Sequence, residues 1–159
     1  MRRLTRYICV LITVLACTSS FAAGEFAFEH KLAAAEDGNI KAQYDIGYRY
    51  EKGRGVDGDD ELAFEWYSKA ADQGLDKAQY KVGSFYLRGQ GVDKSIPAAE
   101  TWLVKAAEQG YPPAQFQLGK LYDTHKRNYQ LALNWLQKAR DSGYEPAIRE
   151  IRKVKKKIN

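Results

Sequence analysis

The amino-acid sequence predicts an all-α protein: an α/α solenoid of about three helix-turn-helix repeats, with a partial N-terminal repeat helix and a basic C-terminal capping helix. Two observations carry this prediction. Glycines recur in steps of 36 residues at Gly47, Gly83 and Gly119, and the apolar residues around them follow helical spacing. A chain of 159 residues with 45% hydrophobic and 28% charged residues has room for one such domain and its core.

The N-terminal segment has the parts of a secretory signal peptide. A basic start precedes an uncharged apolar run from Tyr7 to Ala16, which is too short to span a bilayer comfortably. We expect cleavage after Ala22, which removes residues 1–22 and releases a periplasmic or secreted protein. In the alternative, the stretch VLAC resembles a bacterial lipobox, residues 1–16 are removed, and lipidation of Cys17 gives an envelope lipoprotein. An uncleaved membrane anchor is a third interpretation.

After the signal, the chain divides into a partial unit and three repeats. The partial repeat helix is predicted at 25–38, repeat 1 at 39–74, repeat 2 at 75–110 and repeat 3 at 111–143. A glycine lies in the middle of the first helix of each repeat, although glycine there costs about 1 kcal/mol relative to alanine. We therefore expect a neighbouring helix to pass too close for a Cβ atom, with alanines such as Ala70 and Ala106 on the facing side.

The second helix of each repeat is predicted to be capped at both ends. Asp59, Ser95 and Asn128 occupy the same position in the repeat, and each has a side-chain oxygen that can accept a hydrogen bond from a first-turn amide. Each second helix then meets a glycine typical of a left-handed C-terminal cap. The tryptophan in its middle is expected to fill the wedge between the two helices, and the short connections make neighbouring helices antiparallel.

The loop between the two helices of repeat 1 reads GRGVDG, which matches the G-x-G-x-x-G pattern of dinucleotide-binding proteins. That fingerprint must follow a strand and open a helix, whereas this loop follows a helix predicted to end near Lys52. We therefore interpret Gly53 and Gly55 as turn residues with positive φ. Val56 is expected to fold back onto the apolar core.

The run A-Q-Y-x-I-G-x-x-Y-x-x-G-x-G-V, followed by D-x-x-x-A-x-x-W-x-x-K-A-A-x-x-G, resembles the Sel-one-like repeat family, relatives of the tetratricopeptide repeats. The resemblance covers about residues 39–143, and repeat 3 departs from it where YDTHKRNYQ replaces the glycine loop. The resemblance implies an α-solenoid that binds a protein or peptide partner as a non-catalytic adaptor or scaffold, in bacteria often at the cell envelope.

Residues 144–159 are predicted to form a capping helix with apolar side chains at Ile148, Ile151 and Val154. The last thirteen residues hold six basic side chains and one acidic side chain, so the basic charge of the chain belongs to the signal and to this tail. The body between them gives no support for nucleic-acid binding. The tail offers an alternative function, in which an envelope-tethered accessory protein contacts anionic lipid or a cell-wall polymer.

Few residues are available for catalysis. Both cysteines, Cys9 and Cys17, lie in or beside the export segment, and the two histidines lie in different repeats. The sequence therefore predicts no metal site, no cofactor and no enzyme. A further alternative is a penicillin-binding or β-lactamase-like enzyme, but that chemistry requires Ser-x-x-Lys, and no serine of the repeats has a lysine three residues on.

A partner-binding surface is best sought at repeat positions that vary, because constant positions are structural. Two varying positions lie one turn apart on the first helices and are expected to line the inner surface of the superhelix. These positions hold Asp45 and Arg49, Lys81 and Phe85, and Gln117 and Leu121. The candidate partner-binding residues are therefore Asp45, Arg49, Lys81, Phe85 and Gln117. Phe85 and Leu121 have an alternative role, which is packing against the neighbouring repeat.

Overall fold

The computed structural model describes residues 28–158, which form eight α-helices and no strand. The predicted cleavage site and Cys17 lie outside the described residues. Helix α1 covers residues 28–36, and it is followed by α2 Ile40–Lys52, α3 Asp60–Asp72, α4 Asp76–Arg88, α5 Ile96–Glu108, α6 Pro112–Thr124, α7 Tyr129–Asp141 and α8 Pro146–Ile158. Each helix packs against the next along the chain. The predicted α/α solenoid is confirmed.

The second helices of the repeats are capped at both ends, as the sequence predicts. The side chains of Asp59, Ser95 and Asn128 each accept a hydrogen bond from the amide three residues on, at 3.0, 3.3 and 3.1 Å. A glycine with φ between 80° and 93° follows α1 and each of the second helices α3, α5 and α7. These left-handed glycines let the backbone satisfy the last carbonyls of the helix before it turns into the next one.

The loops between the helices of a repeat also follow the prediction. Gly53 and Gly55 have φ values of 60° and 76°, and Val56 packs against the cluster formed by α1 and α2. The loop of repeat 3 is shorter, and Arg127 takes a φ of 49° there without a glycine. Both helices of repeat 3 keep the same length of 13 residues as those of the other repeats, so the deletion is confined to the loop.

The mid-helix glycines make room for a large side chain of the second helix. A Cβ atom on Gly83 would lie 2.8 Å from Cγ of Leu103, which is closer than real Cβ contacts. The facing side chains, in chain order, are Tyr67, Leu103 and Leu136. The predicted close approach to these glycines is therefore confirmed. The prediction that Ala70 and Ala106 face them is wrong, because Tyr67 and Leu103 do so. The large side chain points into the hairpin, and the missing Cβ supplies its space.

The tryptophans fill a wider wedge than the sequence predicts, because each packs against the first helix of its own repeat and also against the preceding unit. Trp66 joins a cluster with Phe28 of α1, the second helix of the preceding unit, and with Ile46 of α2. Trp102 packs in the same way against the cluster formed by α3 and α4. A lysine ammonium lies 3.8 to 4.1 Å from the centroid of each indole ring. The tryptophans therefore tie each repeat to the one before it.

A ladder of glutamine side chains also crosses from repeat to repeat. Gln79 of α4 donates through Nε2 to the carbonyl of Ala71 at 3.2 Å, and its Oε1 accepts from Nε2 of Gln109 at 2.8 Å. Gln109 donates in addition to the carbonyl of Gly74 at 3.0 Å. The same pattern is made one repeat earlier by Gln43 and Gln73.

The glutamine ladder is incomplete in repeat 3. Gln115 donates to the carbonyl of Ala107 at 3.2 Å, but within the described residues its buried Oε1 accepts no hydrogen bond. The residue in register with Gln73 and Gln109 is Ser142, whose side chain is too short to provide the donor. A buried acceptor without a partner costs about 1–3 kcal/mol.

Helix α8 closes the solenoid by taking the place of a further first helix. Ala147, Ile151 and Val154 are buried and Ile148 is half-buried, as the sequence predicts. Arg152 stands where the earlier first helices have glycine, and it is exposed because none of the described helices packs on that side of α8. None of the helices within residues 28–158 combines the length and the apolar character needed to cross a membrane.

Candidate functional site

We call the line along which two successive first helices face each other a seam. The first seam lies between α2 and α4, the central seam between α4 and α6, and the last seam between α6 and α8. Glu51, Leu87 and Asp123 occupy the same repeat position in the three seams, whereas the lysines that pair with Glu51 and Asp123 come from different positions of the next first helix. The contrast among the three seams identifies the candidate site.

The first seam is closed by a buried carboxylate. The side chain of Glu51 is 6% exposed, and it accepts hydrogen bonds from Lys81 and from the hydroxyl of Tyr67, both at 2.7 Å, with Lys52 at 2.9 Å. Burial alone would raise the pKa of the Glu51 carboxyl, but the hydrogen bonds from Lys81, Tyr67 and Lys52 outweigh it and lower the pKa to about 2. Burial and the adjacent carboxylate raise the pKa of Tyr67.

The last seam is closed by a second ion pair. Lys157 of α8 donates to both carboxylate oxygens of Asp123 in α6, at 2.7 and 2.6 Å. The side chain of Asp123 is only 10% exposed. In the first and last seams, therefore, a carboxylate near the end of one first helix meets a lysine of the next.

The central seam lacks this closure and opens into a depression. Leu87 and Gln117 stand in register with Glu51 and Lys81, so neither member of the ion pair is present. A volume of about 380 Å³ opens between α4 and α6 instead. We call it the central depression, and it is lined by Leu87, Arg88, Gln117, Lys120, Leu121, Thr124 and His125.

The central depression is basic. Arg88 and Lys120 line it, no acidic side chain does, and neither cation forms an ion pair with any residue in 28–158. The guanidinium of Arg88 lies 5.7 Å from the ring centroid of Phe85, and the ammonium of Lys120 lies 5.7 Å from that of Phe116. These aromatic rings attract the cations weakly and do not neutralise their charge.

A second depression, of about 330 Å³, lies at the N-terminal end of the solenoid between α1, α2 and the loop that follows α2. Its carboxylate, Asp45, is already paired with Lys31. The guanidinium of Arg49 lies 5.9 Å from the ring centroid of Phe28, and that of Arg54 lies 5.2 Å from the ring centroid of Tyr48. The carboxylate of this depression is therefore already paired, while Arg49 and Arg54 form no ion pair within residues 28–158.

The five predicted partner-binding residues separate into two groups. Asp45 and Arg49 line the N-terminal depression, and Gln117 lines the central one. Lys81 is held by Glu51, and Phe85 is fully buried, with its ring centroid 5.7 Å from that of Tyr67. For Phe85 the surface role is wrong and the alternative role, packing against the preceding repeat, is correct. Lys81 keeps a side chain that is 20% exposed, but it is already paired with Glu51 at the same junction.

Of the residues that line the central depression, the sequence predicts Gln117 and Leu121 but not the cations Arg88 and Lys120. A signal for them was present in the register of the repeats. Aligning Glu51 with Leu87, and Lys81 with Gln117, shows that an acid and a base in one seam are replaced by an aliphatic residue and an amide in the next. That exchange marks the central seam as the one without an ion pair.

No arrangement for metal chemistry is found within residues 28–158, where no group of three or more His, Cys, Asp or Glu side chains is placed to hold an ion. The hydroxyl of Ser84 is buried and has no hydrogen-bond partner among these residues. His125 is exposed at the edge of the central depression. The depression offers cations and aliphatic side chains, which can bind a partner by charge and by apolar contact.

Comparison with known proteins agrees with this architecture. The Sel1 repeat family matches residues 40–75, 76–111 and 112–144. No curated protein sequence matches the chain significantly.

Several solved structures are similar to the chain. A Sel1 repeat protein from Oxalobacter formigenes is 37% identical with a TM-score of 0.73, over 86% of this chain and 58% of that one. A protective antigen of uropathogenic Escherichia coli with an SLR fold is 30% identical with a TM-score of 0.76, over 80% of this chain and 28% of that one. An immunity protein from Pseudomonas aeruginosa is 30% identical with a TM-score of 0.55, over 78% and 48% of the two chains. The chain thus spans less than two thirds of each of these proteins.

Proposed function

Because the chain belongs to the Sel1 repeat family, we propose that it is a non-catalytic scaffold, exported to the bacterial cell envelope, that binds a protein or peptide partner along its seams. Repeat scaffolds of this kind bind proteins through extended surfaces built from stacked helices. The structural relatives have names as different as protective antigen and immunity protein, so membership of the family does not identify the partner.

The observation that carries the proposal is the open central seam. The first and last seams are closed by Glu51 with Lys81 and by Asp123 with Lys157, which stabilises the solenoid itself. The central seam has Leu87 at the position of these carboxylates, and it leaves a depression and unpaired cations at the surface. A surface that the fold does not use for its own stability is available to a partner.

Site-specific photo-crosslinking in the producing cell tests this proposal. A photoreactive side chain at Gln117, inside the central depression, should give a discrete adduct with one partner. The matched control is Thr101, an exposed residue of the second helix α5, which should give none. Equal crosslinking from both positions, or none from Gln117, would contradict partner binding at the seam.

Export rests on the N-terminal segment, which lies outside the described residues. Mass spectrometry of the protein from fractionated cells separates the two forms of export. Cleavage after Ala22 leaves an unmodified chain in the periplasmic or secreted fraction, whereas the lipoprotein begins at a lipidated Cys17 in the membrane fraction. A full-length chain in the cytoplasm would contradict export.

A second candidate function is contact with anionic lipid or a cell-wall polymer through α8. Four basic side chains of α8, namely Arg149, Arg152, Lys155 and Lys156, are exposed and form no ion pair within the described part of the chain. The apolar face of α8 is buried in the fold, so such contact would be electrostatic and sensitive to salt.

The test of this second function must leave α8 folded. Deleting the tail would also remove the buried Val154 and the pair between Lys157 and Asp123. Changing Arg152, Lys155 and Lys156 to glutamine removes charge only. Sedimentation with anionic vesicles or with cell-wall sacculi should then fall in low salt, and unchanged sedimentation would exclude the contact.

A further inference from the structure

We propose that the central depression accepts a carboxylate of the partner beside an aliphatic side chain, so that the bound segment is acidic and apolar. This inference rests on the proposed scaffold function and specifies the chemistry of its partner. It follows from the charge of the depression, from the way its cations are held and from its size.

The charge of the depression calls for an external carboxylate. The seams on either side each set a carboxylate against a lysine, with Glu51 against Lys81 and Asp123 against Lys157. In the central seam the acidic position is occupied by Leu87, while cations remain at Arg88 and Lys120. A carboxylate brought by a partner would therefore restore at this seam the kind of ion pair that closes the other two. The guanidinium of Arg88 is suited to this role because its planar fork can grip both oxygens of a carboxylate.

Each cation of the depression lies near an aromatic ring of its own helix, which favours its position before a partner binds. Phe85 is fully buried, so the ring beneath Arg88 is fixed in the core. Phe116 lies beneath Lys120 at the same distance of 5.7 Å from its ring centroid. Side chains that are already positioned lose less conformational entropy on binding, which strengthens a contact made by few groups.

The volume and the apolar floor of the depression favour one acidic and one aliphatic side chain of a partner. Leu121 forms an apolar floor that is 2% exposed, and the half-buried Leu87 forms one wall. A volume of about 380 Å³ lies at the low end of the range for ligand sites. It suits one acidic and one aliphatic side chain better than a large cofactor.

The other basic surfaces of the chain are less suited to this partner. The N-terminal depression also has unpaired guanidinium groups, at Arg49 and Arg54, but it contains the carboxylate of Asp45 and none of its lining residues is aliphatic. The exposed face of α8 carries charge without an apolar floor, which suits a polyanion better than an acidic and apolar peptide. The central depression alone, among these three surfaces, combines unpaired cations with aliphatic walls.

A peptide titration followed by NMR tests the inference. The ¹⁵N-labelled protein is titrated with a blocked peptide of alternating leucine and aspartate, and in parallel with the matched peptide of leucine and asparagine. The acidic peptide should shift the amides around Gln117 and Lys120, bind roughly tenfold more tightly than its neutral match, and weaken as salt is added. Equal binding of the two peptides, shifts elsewhere on the surface, or an equal response to inorganic phosphate would overturn the inference.

A matched pair of variants isolates the two cations. Arg88→Gln with Lys120→Gln should weaken binding of the acidic peptide about tenfold or more. Arg149→Gln with Lys155→Gln removes the same net charge from α8 and should leave binding unchanged. An equal loss in both pairs would show that only the net charge matters, which overturns the site.

This inference and the scaffold function fail separately. If photo-crosslinking from Gln117 captures a partner in cells while the acidic peptide leaves the depression unaffected, the acidic chemistry is overturned and the scaffold function stands. If crosslinking from Gln117 fails, the scaffold function is overturned, whatever the peptide does.

Discussion

Replacing Ser142 with glutamine should extend the glutamine ladder into repeat 3 and stabilise the protein. In the earlier repeats the residue in this place, Gln73 or Gln109, donates from Nε2 to the Oε1 of a buried glutamine and to the carbonyl of a glycine. Ser142→Gln would offer the same donor to the Oε1 of Gln115, which is buried without a partner. The carbonyl of Gly110 is the corresponding second acceptor.

The expected gain in the free energy of unfolding of Ser142→Gln is the difference between new hydrogen bonds and lost side-chain entropy. Satisfying a buried acceptor recovers about 1–3 kcal/mol, and the second hydrogen bond contributes about 0.5–1.5 kcal/mol. Ordering one glutamine side chain costs up to about 2 kcal/mol. We therefore expect the free energy of unfolding to rise by about 1 kcal/mol, which corresponds to a rise in Tm of about 2–4 °C.

Urea denaturation followed by circular dichroism measures this change. Ser142→Met is the matched control, because methionine has a similar length and helix propensity but no N–H donor. The double variant with Gln115→Met completes a thermodynamic cycle. Equal stability of the glutamine and methionine variants would refute a stabilising hydrogen bond to Gln115. A gain in stability that persisted in the background of Gln115→Met would refute it as well.

Four further variants test the electrostatics, the packing and the shortened loop of the repeats. Glu51→Gln should lower the free energy of unfolding at neutral pH by about 2–3 kcal/mol. The pKa of Glu51, about 2 when folded, lies below its ordinary 4.5, so its contribution is present above pH 4.5 and is lost as the pH falls toward 2. Urea titrations of the variant should therefore show a flatter pH dependence, and an unchanged slope would contradict the ion pair. Gly83→Ala should destabilise the protein by about 1–2 kcal/mol, because overpacking against Leu103 outweighs the better helix propensity of alanine. The adjacent Ser84→Ala, which removes a buried hydroxyl without a partner, should be neutral or stabilising by up to about 1 kcal/mol; similar thermal shifts for both alanine variants would count against the packing. Arg127→Gly should stabilise the shortened loop by up to about 1 kcal/mol by relieving a left-handed φ, and a lower Tm would argue against strain there.

The local features of the fold could be predicted because each depends on residues close together in sequence. The N-caps at Asp59, Ser95 and Asn128 and the glycine turns use bonds that span a few residues, and the register of the repeat identifies each of them three times. The apolar positions of α8 followed from helical periodicity in the same way.

The junctions between repeats could not be predicted in the same way, since they depend on how one hairpin is rotated against the next. Helical spacing places Lys81 and Phe85 on one face, but it does not say that this face meets the preceding repeat. It likewise does not decide whether Tyr67 or Ala70 faces the glycine of its hairpin, because a small rotation of the second helix exchanges them. The open central seam is a property of two repeats together, so a motif within one repeat does not contain it.

The placement of the tryptophans allows intrinsic fluorescence to report on each junction between repeats. The chain has three tryptophans, one in each repeat, and each packs toward the preceding unit with a lysine ammonium over its ring. Indole emission responds to local polarity and charge, so a chain with one tryptophan kept and the others changed to phenylalanine reports on a single junction. The order in which the three signals respond to denaturant distinguishes a solenoid that frays from one end from one that opens as a single unit.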